Sequence, residues 1–251
     1  MHEIEERVED QNPYVCVILQ ECVRMNLLLT EIRGSLIELQ LGMEGSLNMS
    51  DSMDTLLKCL GLNRVAPSWE AKAYPSKKSM SVWFLDLLSR VEQLKGWSDT
   101  LITPVSVWIT GLFNPMAYIT AILQTTARAE QLPLDQMDIF TDVTEELNPA
   151  LLTVNSEDGM YIHGLFMEGA RWDTKKGAIT DSLPKELHPE MPVVRVRGVV
   201  HGTYEMDGLF VCPIYITTMR GPTFTFKATL KSTDPLNKWI MAGVCLLMND
   251  E

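Results

Sequence analysis

The densest group of side chains that could carry chemistry lies in residues 158–173, DGMYIHGLFMEGARWD. In this segment His163 could act as a general base, and Glu168 with Arg171 could form a charged site. The alternative is structural: a buried hairpin in which His163 is hydrogen-bonded, while Arg171 pairs with a carboxylate and packs its stem on Trp172. Because no nucleophile or metal-ligand set accompanies these residues, we favour the structural interpretation.

Elsewhere the sequence lacks the motifs of the common catalytic and cofactor sites. It contains no Gly-Lys dipeptide and therefore no phosphate-binding loop, and no GxGxxG follows a predicted strand. HExxH and GxSxG are also missing, and the four histidines are too dispersed to suggest a zinc site. We therefore predict no catalytic residue, no cofactor and no metal in this polypeptide, which should neither bind nor hydrolyse ATP.

The amino-acid composition argues against one class of binding partner. The 251 residues include 33 acidic and 21 basic side chains, a net charge of −12, which argues against nucleic acid because phosphate binding needs a basic surface. The five cysteines form no CxxC pair and read as buried apolar residues of a reducing compartment. Residues 100–127 carry no charge, but they contain Pro104, Gly111 and Pro115. We expect a buried strand over 105–112 and a helix from Pro115 to about Glu130 there, not a membrane span.

The elements that would position these residues change type along the sequence. Asn12-Pro13 predicts the start of a long first helix that ends at Gly42 or Gly45. Its apolar seam is expected at Ile18, Cys22, Met25, Leu29, Ile32, Leu36, Leu39 and Met43. Further helices are expected after Ser50 and Ser76. The first half therefore predicts a helical bundle.

The second half has the alternating pattern of strands. Six strands are predicted, at 136–143, 160–167, 191–197, 209–218, 223–230 and 238–248. Because no helical pattern separates them, the sheet should be antiparallel, either closed into a small barrel or partly open. The predicted organisation is α+β: a leader over 1–12, a helical subdomain over 13–146 and an antiparallel β-barrel subdomain over 147–251.

Several motifs resemble the C-terminal region of dynein heavy chains, in order and over nearly the whole sequence. They are residues 158–173 above, LQECVRMN (19–26), AYPS (73–76), VWITGLFNP (107–115) with Ala127-Arg128, and KWIMAGV (238–244). The likeness is greatest to axonemal heavy chains of the outer-arm type.

The resemblance implies a motor in which this region does no chemistry. Dynein heavy chains are ATP-driven, minus-end-directed microtubule motors built on a ring of six AAA+ modules. Their nucleotide sites, with ATP and Mg²⁺, would lie upstream of this region. The family's C-terminal region has a helical part followed by an incomplete antiparallel β-barrel on one face of the ring. The implied partners are the AAA+ ring, other dynein subunits and microtubules, with no nucleic acid or membrane, in the cytoplasm and the ciliary or flagellar axoneme.

Two functions remain open from the sequence. The first is a non-enzymatic regulatory cap on a dynein motor. The second is a free-standing scaffold that binds proteins through the acidic first helix or its heptad seam. Residues 1–63 hold 11 acidic and 4 basic side chains. The ragged leader over 1–12 favours the first, because it reads as the start of a piece of a longer protein.

Overall fold

The structure is a computed structural model that describes residues 12–249. It confirms the α+β class: six α-helices and ten strands lie within those residues. The protein divides into two compact units, a helical unit of residues 18–100 and a sheet unit of residues 12–17 with 101–249. Of the predicted leader, residues 1–11 lie outside the described residues.

Helix α1 runs over Pro13–Met43. At its start the Asn12 side-chain oxygen accepts a hydrogen bond from the Tyr14 amide at 3.0 Å. The buried seam and the predicted seam share positions 18, 25, 32 and 39, which are seven residues apart. They differ at the positions that lie between these. The buried seam comprises Ile18, Glu21, Met25, Leu28, Ile32, Leu39 and Gly42, whereas Leu36 and Met43 are exposed.

The sequence does not determine which residues of α1 are buried between the shared positions. A 4-3 repeat and a 3-4 repeat both place the shared positions on one face, and the choice between them depends on the intervening residues. Those residues include the polar Glu21 and Gly42, which lacks a side chain, and no apolar pattern selects them.

Two more helices and one short turn of helix complete the helical unit. They are α2 over Asp51–Gly61, α3 over Pro67–Glu70 and α4 over Met80–Thr100. Ser50 caps α2 by accepting a hydrogen bond from the Met53 amide, as the sequence predicts. Trp83 of α4 is fully buried and stacks on both Trp69 and Tyr74, with ring centroids 6.2 Å and 6.0 Å away.

The sheet unit contains the other two helices. Helix α5 covers Pro115–Glu130, and Asn114 caps it through its side-chain oxygen, as predicted. Helix α6 covers Leu236–Ala242 and replaces the first half of the strand predicted at 238–248. The strand predicted at 238–248 is therefore wrong over residues 238–242, and Gly243 ends α6 in the left-handed conformation, with φ of 66°.

Ten short strands build the sheets: β1 Ser106–Trp108, β2 Met137–Val143, β3 Met160–His163, β4 Phe166–Glu168, β5 Arg171–Asp173, β6 Ala178–Thr180, β7 Val194–Val200, β8 Leu209–Tyr215, β9 Phe224–Lys231 and β10 Cys245–Leu247. The first sheet has the order β1-β3-β7-β2 and the second β4-β10-β8-β9, while β5 and β6 form a separate hairpin. In residues 12–249 the sheets do not close into a barrel.

The predicted six-stranded antiparallel barrel is therefore wrong in two respects. β1 pairs with β3 in parallel, and β10 pairs with β8 in parallel. The strand predicted at 160–167 divides into β3 and β4, which belong to different sheets. The break falls at Gly164, whose φ of +85° interrupts the extended backbone. Likewise, the strand predicted at 105–112 is shortened to β1 by a turn of 3₁₀-helix over Ile109–Gly111.

The two sheets meet where the edge strand β2 lies beside the edge strand β9. Thr141 and Thr229 join these strands by reciprocal hydrogen bonds between hydroxyl and backbone. The Thr141 amide donates to Thr229 Oγ1 at 2.9 Å, and the Thr229 amide donates to Thr141 Oγ1 at 2.7 Å. We call this pair the threonine clasp. It replaces the backbone ladder that would complete a barrel.

Residues 101–146 belong with the sheets, so the structure divides the protein after residue 100 and not at the predicted residue 146. Helix α5 packs on β7. A Cβ atom at Gly198 of β7 would lie 2.9 Å from Cβ of Thr126, so glycine permits this close approach. Within the described residues, no helix is long and apolar enough to cross a membrane.

Candidate functional site

His163 lies at the end of β3, where its Nδ1 is 2.8 Å from Ser106 Oγ of β1. Burial lowers the pKa of His163 to about 4, so the imidazole is neutral at pH 7. A general base needs a pKa near the working pH, which this histidine lacks. The predicted hydrogen bond to His163 is confirmed. Its partner could not be found from the sequence, because it depends on the parallel pairing of β1 with β3.

Glu168 of β4 binds the Arg220 guanidinium, with 2.9 Å between Oε2 and Nη2. Burial acts to raise the pKa of Glu168, but the hydrogen bond and charge of Arg220 outweigh it and hold the pKa below its usual value. The Cys245 thiol lies 3.5 Å from the same carboxylate oxygen. Burial raises the pKa of Cys245 to about 12, so it remains an unreactive thiol.

Arg171 of β5 pairs with Glu186, with 3.8 Å between Nε and Oε2. The predicted pairing with a carboxylate is confirmed. The predicted packing of the Arg171 stem on Trp172 stays a prediction. The hairpin in this region is β5–β6 and follows the glycine-rich stretch instead of forming within it.

These three residues therefore do not form one site. His163 belongs to the first sheet, Glu168 to the second and Arg171 to the separate hairpin. Each has its own structural partner in another segment. The predicted charged site of Glu168 with Arg171 is not formed, because Arg220 takes the carboxylate that Arg171 would need.

A cluster of ion pairs on β7 involves other residues. Arg195 and Arg197 of β7 both bind Asp142 of β2, with N–O distances of 2.7 Å and 3.2 Å. The same arginines reach Asp158, at 3.0 Å and 3.5 Å. Alternation along a strand puts both arginines on one polar face of β7, but their partners depend on the strand order. The cluster fixes β2 and the segment before β3 against β7, and every charge in it has an opposite.

No group of three or more histidine, cysteine, aspartate or glutamate side chains is placed to hold a metal ion in residues 12–249.

The outer face of α4 carries exposed apolar side chains, which say more about a possible contact than the ion pairs do. Val82, Leu85 and Leu88 are 48%, 66% and 62% exposed and lie opposite the buried Trp83 and Leu87. We call these three residues the α4 stripe. An amphipathic helix usually places polar residues on its outer face, so an apolar outer face indicates a contact surface.

Comparison with known proteins identifies the class. The family model for the C-terminal domain of the dynein heavy chain matches residues 1–248, and the protein belongs to that family. This confirms the resemblance drawn from the sequence motifs.

Individual relatives are axonemal dyneins. The sequence is 43% identical over 246 residues to dynein axonemal heavy chain 9 of Homo sapiens, covering 98% of this sequence and 6% of that protein. It is 47% identical over 242 residues to the dynein beta chain of the flagellar outer arm of Chlamydomonas reinhardtii, covering 96% and 5%. It is 44% identical over 248 residues to the ciliary dynein beta chain of Heliocidaris crassispina, covering 99% and 6%. The 251 residues thus span about one-twentieth of the length of these relatives.

Proposed function

We propose that these 251 residues are the C-terminal regulatory domain of an axonemal dynein heavy chain. In that role the domain docks on the AAA+ ring of the same heavy chain and biases how ATP-driven movements of the ring become minus-end-directed motility on microtubules. It performs no chemistry itself. ATP and Mg²⁺ act in the ring, upstream of this region, and the motor works in the ciliary or flagellar axoneme.

The α4 stripe is the observation that carries the docking. It places three large apolar side chains on the outer face of a helix whose inner face is already packed. In a protein of about twenty times this length, the rest of the polypeptide supplies the nearest surface to cover them. Contacts between domains of one polypeptide are of moderate size and allow relative motion.

A modest contact is enough for a regulatory effect. A docking surface shifts the populations of two ring conformations when its contact free energy differs between them. A difference of about 1.4 kcal/mol changes the ratio of the two populations tenfold. The domain therefore needs no reactive group to change the output of the motor.

The test is the double substitution Leu85→Asp/Leu88→Asp in the full heavy chain. We expect nucleotide binding to be retained, while force or run length on microtubules changes. The matched control is Leu151→Asp/Leu187→Asp, which introduces the same charges at two exposed leucines in the sheet unit. If the stripe variant moved like the control, under load as well as without it, docking through α4 would be wrong.

The free-standing scaffold is the second candidate function. It predicts an endogenous protein of 28.3 kDa, whereas a motor subunit would be many times heavier. An intact-mass measurement of the endogenous protein separates the two.

A further inference from the structure

The line along which β2 and β9 meet has no backbone ladder in the part of the protein that the structure describes. The threonine clasp directs the amides of Thr141 and Thr229 toward the opposite strand. Backbone groups of residues two apart in a strand point to the same side. Val143 therefore turns its N–H and C=O to the same side of β2 as Thr141.

A cleft of about 280 Å³ opens next to the clasp, at the C-terminal ends of both strands. Residues 140 and 142–145 form one wall, and Thr229 and Lys231 form the other. The β5–β6 hairpin, with Trp172 and residues 174–177, closes a third side. We call this space the seam cleft. A strand edge, an aromatic side chain and a hairpin thus surround one opening.

The rim of the seam cleft is basic, although the protein has a net charge of −12. Lys175, Lys176 and Lys231 line it, and the side chains of these three lysines make no hydrogen bond or ion pair with any other residue in 12–249. Asp142 is already neutralised by two arginines. Glu145 is then the one acidic side chain of the lining without such a partner in the described structure.

The turn that carries two of these lysines is fixed in place. The amides of Lys175 and Lys176 both donate to the Asp173 carboxylate, at 3.0 Å and 3.2 Å. The backbone positions of Lys175 and Lys176 beside the cleft are therefore set by the fold.

We propose that the seam cleft binds an extended acidic segment of another polypeptide, which adds a strand along β2 at Val143. Strand addition to an exposed sheet edge takes its affinity from backbone hydrogen bonds and its selectivity from side chains. Here the lysine rim supplies the selectivity. Edge lysines oppose pairing with basic or neutral strands, but they attract acidic ones. This inference does not depend on docking through α4.

Charge complementarity selects the occupant, because the lysine rim attracts an acidic segment. The spaced acidic residues Glu31, Glu38 and Glu44 lie on or directly after α1, and a helix cannot supply a strand. An extended acidic segment of another polypeptide has the chemistry that this rim selects.

The test uses the 251-residue protein and three labelled ten-residue peptides in fluorescence anisotropy. The peptides alternate Glu with Val, Lys with Val, and Glu with Pro. We expect the Glu-Val peptide to bind at least about tenfold more tightly than the other two, because the Lys peptide has the wrong charge and proline lacks the amide needed for a ladder. Equal binding of the Glu-Val and Glu-Pro peptides would overturn strand addition.

Charge reversal of the lysine rim tests whether the peptide binds at the seam cleft. Lys175→Glu/Lys176→Glu should weaken binding of the Glu-Val peptide by about tenfold or more, whereas Lys58→Glu/Lys95→Glu, at exposed lysines of the helical unit, should not. An equal loss in both double variants would show non-specific attraction and overturn the proposal. Displacement of the peptide by equimolar inorganic phosphate would also overturn it, in favour of a small-anion site.

Two further measurements separate the remaining outcomes. In NMR spectra of the unmodified protein, the Glu-Val peptide should shift the Val143 amide and leave the Ile109 amide in place, whereas an unchanged Val143 amide would contradict the proposal. A variant without residues 1–11, which hold five acidic side chains, should bind the peptide as the full protein does. Tighter binding would assign the cleft to the protein's own N-terminal segment instead.

Discussion

The core of the helical unit and the junction between the two sheets of the sheet unit are stabilised in different ways. In the helical unit large side chains dominate, and Trp69, Trp83 and Trp97 are all fully buried. In the sheet unit, the junction of the two sheets depends on polar groups, above all the threonine clasp. Removing a buried apolar side chain lowers the free energy of unfolding by an amount that grows with the cavity left behind. Removing one member of a buried polar pair lowers it because the other member is left without its hydrogen bond. The two units should therefore fail under different perturbations.

The largest expected effect concerns the α1 seam in the helical unit. Leu28 is fully buried and Leu29 is not, so Leu28→Ala should lower the free energy of unfolding by about 2–5 kcal/mol. Leu29→Ala is the matched control on the same turn and should cost less, although the sequence pattern alone predicts it to be the buried one. Urea unfolding of both variants measures the difference. A larger loss for Leu29→Ala would restore the predicted seam and contradict the observed one.

A pH effect of intermediate size is expected in the sheet unit. The pKa of His163 is about 4 in the folded protein and near 6.5 when unfolded, so the unfolded state binds more protons between these values. Stability from the neutral imidazole is then fully present above about pH 6.5 and is lost as the pH falls toward 4. With about 1.4 kcal/mol per pKa unit, the loss is on the order of 2–3 kcal/mol.

The control for this titration is His163→Asn, which keeps a hydrogen-bonding group beside Ser106 but cannot be protonated in this range. Its free energy of unfolding should change less between pH 6.5 and 4. Parallel profiles for the two proteins would show that other groups cause the acid sensitivity.

The smallest effect is expected at the threonine clasp. Thr141→Val leaves the Thr229 amide without its acceptor and should cost about 1–3 kcal/mol. Thr229→Val should cost a similar amount. Because the two hydroxyls act as a pair, the double variant should lose less than the sum of the single losses, and a double-mutant cycle measures this coupling. Additive losses would mean that the clasp does not join β2 to β9 as a unit.

The sequence correctly predicted those elements whose ends are set by neighbouring residues alone. Asn114-Pro115 marked the start of α5, and Ser50 marked that of α2, because a cap needs only neighbouring residues. The class of the protein also followed from its motifs. The partners of strands were less accessible: the parallel pairing of β1 with β3 joins residues more than fifty positions apart, and only tertiary packing decides it.

The candidate site shows the same division. The sequence selected His163, Glu168 and Arg171 because they are close in sequence, and it preferred a structural role for them. Their separation into three sheets could not be foreseen, since it follows from the positive φ at Gly164 and from the turn after β4. Ser106 and Arg220, which bind His163 and Glu168, carry no local signal at all.

The position of β10 has a consequence for biosynthesis. This strand lies between β4 and β8, inside the second sheet, although in sequence order it is the last strand within residues 12–249. While the polypeptide emerges from the ribosome, β4 and β8 must wait for residues 245–247 before their shared neighbour exists, whereas residues 18–100 are already complete. A stop codon a few positions before Cys245 would therefore leave two facing strand edges unpaired and exposed to chaperones and proteases.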